Sequence, residues 1–134
     1  MIRFDVEIYT AFGSKRNLIT YHIGGCNDGS SNIWTNTQAY SEGIGNLSNL
    51  TVRFGQDESN NIYITIGEAN TVWNYPKIAI TNLIIGHNNA TVEKWSYGWE
   101  LSIRNVNPCS SISNIIISPK IQSSYTNMNL FIGS

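Results

Sequence analysis

Two short runs in the middle of the chain alternate apolar and polar residues strictly. Leu50, Val52 and Phe54 alternate with Thr51 and Arg53, and Ile62, Ile64 and Ile66 alternate with Tyr63 and Thr65. Neighbouring side chains point to opposite faces in a β-strand, so the alternation predicts two strands, each with one buried face. Gln56 to Asn61 is a run of turn formers between them, which predicts an antiparallel hairpin. The same pattern recurs upstream. Phe4, Val6 and Ile8 oppose Arg3, Asp5, Glu7 and Tyr9; beyond the turn residues Gly13 to Asn17, Ile19, Tyr21 and Ile23 alternate with Thr20 and His22, and this second segment is expected to pair with the first.

No stretch carries a helical apolar period, and Gly, Asn and Thr are spread where a helix would suffer. The chain therefore reads as all-β, an antiparallel β-sandwich-like arrangement of short strands in a single domain over residues 1–134. Several local expectations follow from residue type. Cys26 to Asn32 reads as a surface loop, Ile33 to Tyr40 as a mixed aromatic and polar segment, and Ser41 to Asn46 as another loop. Trp73 to Pro76 predicts a bend with Tyr75 pushed toward the extended region by the following proline. Ile78 and Ile80 change phase with Leu83 and Ile85 across Thr81-Asn82, as a β-bulge would require. Trp99, Leu101 and Ile103 alternate with Glu100, Ser102 and Arg104 and predict another half-buried strand. Ile112 to Ile117 and Leu130 to Ile132 are apolar enough to need a partner surface.

Charge and composition limit the functions available. Charged residues are 13% of the chain and the net charge is −1, so no basic field exists to hold a phosphate backbone, and nucleic acid is not expected as a partner. Nothing approaches the roughly 18 apolar residues of a membrane span, and membrane insertion is not expected. Met1 to Val6 alternates like a strand and lacks the apolar run of a signal peptide. Cys26 and Cys109 stand far apart without CxxC or Cys/His ligand spacing, which argues for free thiols. His22 and His87 are too separated to suggest a metal site, and no cofactor motif is present. The Asp and Glu residues are scattered, with Asp57-Glu58 adjacent in a hairpin turn, and no nucleophile elbow appears; the chain does not read as an enzyme.

Several spaced motifs carry a family likeness: Val52-Arg53-Phe54-Gly55, Ile66-Gly67-Glu68, Trp73-Asn74-Tyr75-Pro76, Gly86 and Gly98-Trp99, together with Phe4 to Ile8, Tyr21-His22-Ile23-Gly24, Trp34-Thr35-Asn36 and Ala39. In this order and spacing the sequence resembles the C-terminal receptor-binding domain of long or L-shaped bacteriophage side tail fibres. The likeness covers most of the chain and leaves Ser110 to Asn129 outside it. The resemblance implies a β-rich domain that assembles as a parallel homotrimer at the fibre tip of the virion and docks to a host surface glycan or outer-membrane protein. It also implies that an end at Gly133-Ser134 is what removal of a self-cleaving chaperone after serine would leave.

For binding a sugar, aromatic rings offer flat apolar faces and short polar side chains hydrogen-bond hydroxyls at little entropic cost. Asp28, Trp34, Asn36 and Tyr40 form the first candidate group, and Trp95 and Tyr97 the second. The same aromatics also suit a core or a subunit interface, so the sequence leaves both readings open. Trp73, Tyr75 and Trp99 read as core, and Arg53 is placed to meet Glu68. A structural trimerisation or capping module is the alternative function, and a glycan-degrading enzyme the third.

Overall fold

The computed structural model describes residues 1–12, 14–28, 33–86, 93, 97 and 99–121. Among these residues seven strands form two sheets. They are β1 (Ile2–Phe12), β2 (Lys15–Asp28), β3 (Ile33–Ile44), β4 (Val52–Gln56), β5 (Ile62–Ile66), β6 (Lys77–Ile85) and β7 (Ser111–Ile116). The first sheet has the order β3-β2-β1-β6 and the second β5-β4-β7, and every neighbouring pair is antiparallel. The expected hairpin is β4 with β5, where Phe54 faces Ile64 and Val52 faces Ile66.

Cross-strand pairing gathers the apolar set on one face of each sheet. Phe4 sits opposite Ile23, Val6 opposite Tyr21 and Ile8 opposite Ile19, and all six are buried. Val52 and Phe54 meet them from the second sheet, and one continuous buried cluster joins both, a sandwich-like arrangement. Trp34 crosses from β3 to pack edge-on against Phe54, with ring centres 5.3 Å apart.

Tyr21 and Asn17 carry polar groups into this core, and both are satisfied. The Tyr21 hydroxyl donates to the Leu47 carbonyl and accepts the Leu50 N–H, and burial pushes its phenol up to about 12. Asn17 donates to Thr10 and accepts the Leu47 N–H, fixing the turn that leaves β3. Gly45 in that turn has φ 117°, and a Cβ there would lie 2.0 Å from the Asn17 amide oxygen, so only glycine fits.

The bulge in β6 lies where the phase change placed it. Arg3 faces Ile84 while Asp5 faces Thr81, and Asn82 takes φ 53° in the extra turn of backbone. Arg53 meets Glu68 at 2.7 Å. Cys26 and Cys109 are free thiols.

Other expectations are corrected. The segment from Cys26 is not a loop at first: a register shift after Gly24 lets Cys26, Asn27 and Asp28 stay paired with Thr35, Trp34 and Ile33, so backbone pairing outweighs their weak strand preference. Ser41 to Ile44 is strand and not loop, because β2 holds it on one edge while the Ser41 N–H donates to Pro119 O and its carbonyl accepts the Ile121 N–H on the other. Residues 99–104 form no strand, and a local Glu100–Arg104 contact at 2.8 Å ties the segment to itself. Tyr75 is not extended but has φ 46°, which reverses the chain into β6. Its side chain is 75% exposed, and Trp99 is exposed as well, so neither is core; Trp99 meets Phe4 in an edge-on ring contact. Trp73 is half-buried against the core. The apolar run from Ile112 supplies β7, which pairs with β4 and leaves Ile115 and Ile117 exposed. Leu130 to Ile132 and His87 lie outside the described residues.

Replacing Tyr21 with Phe keeps the ring but strands the Leu47 carbonyl and Leu50 N–H in the core. Urea unfolding should find Tyr21→Phe less stable by about 1–3 kcal/mol with an unchanged denaturant slope.

Candidate functional site

Alternation that sends Phe4, Val6 and Ile8 inward sends Arg3, Asp5, Glu7 and Tyr9 outward, and the same rule turns Thr20 and His22 of β2 and Tyr40 and Glu42 of β3 to that outer face. Register then aligns them. Tyr40 is opposite His22 and His22 opposite Asp5, so an aromatic ring, an imidazole and a carboxylate stand in one row across three strands.

The row is joined by direct contacts. His22 Nδ1 is 2.7 Å from Asp5 Oδ1, and its Nε2 is 2.8 Å from Glu42 Oε1. With a carboxylate on each nitrogen, the imidazole donates from both when it is protonated. Tyr40 stacks on it with ring centres 4.5 Å apart and planes 21° from parallel. The second oxygen of Asp5 accepts a hydrogen bond from Asn82 at 2.8 Å, so the β6 bulge serves the site directly.

Titration follows from these contacts. Partial burial acts to lower the His22 pKa, but hydrogen bonds and charge from Glu42 and Asp5 outweigh it and hold the pKa above the ordinary 6.5. Partial burial likewise acts to raise Asp5, and the hydrogen bonds from Asn82 and His22 with the charges of His22 and Arg3 hold it below 3.8. Both imidazole nitrogens are committed to carboxylates. Among the described residues no group of three or more His, Cys, Asp and Glu could hold a metal ion.

The residues singled out from sequence do not converge. Trp34 is only 4% exposed, its indole N–H donates to Gly55 O at 3.3 Å, and its ring serves the core. Asn36 is exposed with φ 51° on β3. Tyr97 is 81% exposed and stands in no strand. Asp28 ends β2 opposite Ile33, with its side chain outside the description, and Trp95 lies outside the described residues. Tyr40, 44% exposed, is the one that joins the outer-face cluster. Asp5 and His22 were visible as polar-face residues and Glu42 fell in the expected Ser41 to Asn46 loop; their meeting depends on register between strands, which the alternation of one strand does not encode.

No helix among the described residues is long and apolar enough to cross a membrane. What the outer face offers is an aromatic ring braced by a charged hydrogen-bonding row, suited to contact with a polar partner.

Because the folded chain holds the His22 proton more tightly than the unfolded chain, that contribution to stability is complete below pH 6.5 and disappears as pH rises through the raised folded value. Asp5 acts in the opposite sense: its contribution is complete above pH 3.8 and disappears as pH falls through the lowered value. The thermal midpoint should therefore peak between these limits. In His22→Gln the decline toward alkaline pH should flatten, measured by calorimetry across the range. The sequence matches no family model, and no curated protein and no solved structure matches it.

Proposed function

We propose that this chain is a receptor-binding domain of a phage tail fibre, which assembles as a homotrimer at the fibre tip and adheres to a host surface glycan without catalysing its breakdown. The observation that carries the reading is the outer face of the four-stranded sheet, where Tyr40 is held against His22 beside Asp5 and Glu42. A ring fixed in this way stacks on a sugar with little rotamer entropy left to lose, and the flanking carboxylates accept hydrogen bonds from hydroxyls. The spaced motifs resembling tail-fibre tips support the same reading.

Trimer formation draws its support from apolar surface that the single chain leaves open. Leu83 and Ile84 on edge strand β6, Ile115 in β7 and Ile117 just beyond it are all exposed. Burying such side chains between subunits contributes roughly 25 cal/mol per Å², and covering an open sheet edge removes a liability for unspecific pairing. Three weak sites on one fibre then act together, so avidity supplies what a single sugar contact lacks.

Competition for adsorption to whole cells tests the proposal. The purified trimer should block phage attachment; Tyr40→Ala should weaken the block about tenfold, equivalent to about 1.4 kcal/mol for the trimer as a whole, while sedimentation still gives a trimer. Failure to block despite a stable trimer would favour the structural trimerisation module. Blocking that survives enzymatic removal of the glycan would identify an outer-membrane protein as the receptor, and sedimentation as a lone subunit would sink the assembly.

A further inference from the structure

We infer that the chain carries a second binding site, distinct from the outer sheet face: a groove between residues 69–73 and 103–108 that takes the pyranose ring of a neutral saccharide. Its volume is about 520 Å³, within the ordinary range for small-ligand sites. Two stretches of chain line it, Thr71 and Trp73 from one and Ile103, Arg104, Asn105 and Val106 from the other.

Both walls are built before any ligand arrives. The turn behind the first wall is closed on itself, with the Thr71 N–H donating to Glu68 O at 3.0 Å and the Thr71 hydroxyl accepting the Glu68 N–H at 2.7 Å. Gly67 begins this turn with φ 91°, and a Cβ there would lie 2.8 Å from the Thr71 hydroxyl oxygen. Arg53 pins the turn to β4, donating to Gly67 O at 3.0 Å and to Glu68 at 2.7 Å. On the second wall Arg104 is oriented by Glu100 at 2.8 Å and by the Ser102 hydroxyl at 2.9 Å. A wall so braced loses little freedom when a ligand binds.

The chemistry of the lining selects the ligand class. Trp73 is half-buried against the core, and its indole N–H has no hydrogen-bond partner among the described residues. The Asn105 amide likewise has none among them. Arg104 offers further N–H donors beyond the two engaged by Glu100 and Ser102. An apolar ligand would cover these polar groups without answering them, at a cost in desolvation. A phosphate would need free positive charge, whereas Arg104 is the only Lys or Arg of the lining and is paired with Glu100. A flat indole surface beside amide and guanidinium donors, with local charge balanced, matches a ring with one apolar face and a rim of hydroxyls.

The inference rests on the glycan-binding reading for its ligand class, but it does not use the Tyr40 face. The test uses purified protein and no cells. Indole N–H resonances are followed by nuclear magnetic resonance while the methyl glycosides of glucose, galactose, mannose and N-acetylglucosamine are titrated in turn, with inorganic phosphate as control. At least one glycoside should move the Trp73 signal saturably with a dissociation constant of about 1 mM, and phosphate should not. Trp34, bonded to Gly55 O inside the core, should stay fixed. Asn105→Ala and Arg104→Gln, both at exposed positions, should each weaken the response about tenfold, and Tyr40→Ala should leave it unchanged. No saturable Trp73 shift with any of the four sugars, an undiminished shift in both groove variants, or an equal response to phosphate would overturn the site. Loss of cell adsorption with the sugar response intact would overturn the adhesin reading alone.

Discussion

Tyr21 puts a hydroxyl in the middle of an apolar core, and the junction of the two sheets is organised around answering it. The hydroxyl binds Leu47 and Leu50, which belong to the connection that carries the chain from β3 of the first sheet into β4 of the second. An unpartnered hydroxyl at this depth would cost about 1–3 kcal/mol, a large share of a domain's net stability. The connection must therefore lie against Tyr21, and that position places Val52 and Phe54 over β1 and β2. Ser41 and Asn17 extend the same logic, each bonding backbone of the 45–48 turn from a buried position. The polar interior thus fixes where the connection lies, while the apolar faces supply most of the driving force.

With the inward faces committed to the core, the proposed recognition falls to outward side chains and to the segments that leave the sheets. The outer face of the first sheet is a surface of alternate residues, and its chemistry is set by which of them register brings side by side. His22 takes a central place because two strands each supply a carboxylate to it and a third group, Tyr40, covers its ring. The bulge in β6 sends Asn82 to the same cluster, so an irregularity of the edge strand becomes part of the polar row. The groove at Trp73 has a different origin. There the walls are irregular chain, stiffened by a closed turn on one side and a local ion pair on the other.

The open edges bear on the proposed assembly. Among the described residues, β6 has no strand beyond it in the first sheet, and β5 and β7 flank the second. Backbone groups along such edges are ready to pair with another chain, and exposed isoleucines and leucines beside them add apolar surface to be covered. Low net charge leaves little electrostatic repulsion to keep copies apart. These are properties suited to a subunit of a fibre, where identical neighbours are present at high local concentration.

The strands with strict alternation were legible from residue type alone, since burial of one face forces a period of two: β1, the first part of β2, the β4–β5 hairpin and even the bulge at Thr81-Asn82 are written in the order of apolar residues. Where pairing rather than patterning makes the strand, the sequence is silent. Ser41 to Ile44 and Cys26 to Asp28 are strand because neighbours hydrogen-bond to them, and Trp99 to Ile103 alternates well yet is not strand. The fate of each aromatic was decided at the same level. Trp34 and Tyr40 lie on one strand and are similar in type, but a register shift and the arrival of Phe54 bury the first, while pairing with His22 on the outer face exposes the second. Local order determines which faces are apolar; only long-range register determines which residues meet across them, because each pairing joins parts of the chain that carry no record of one another.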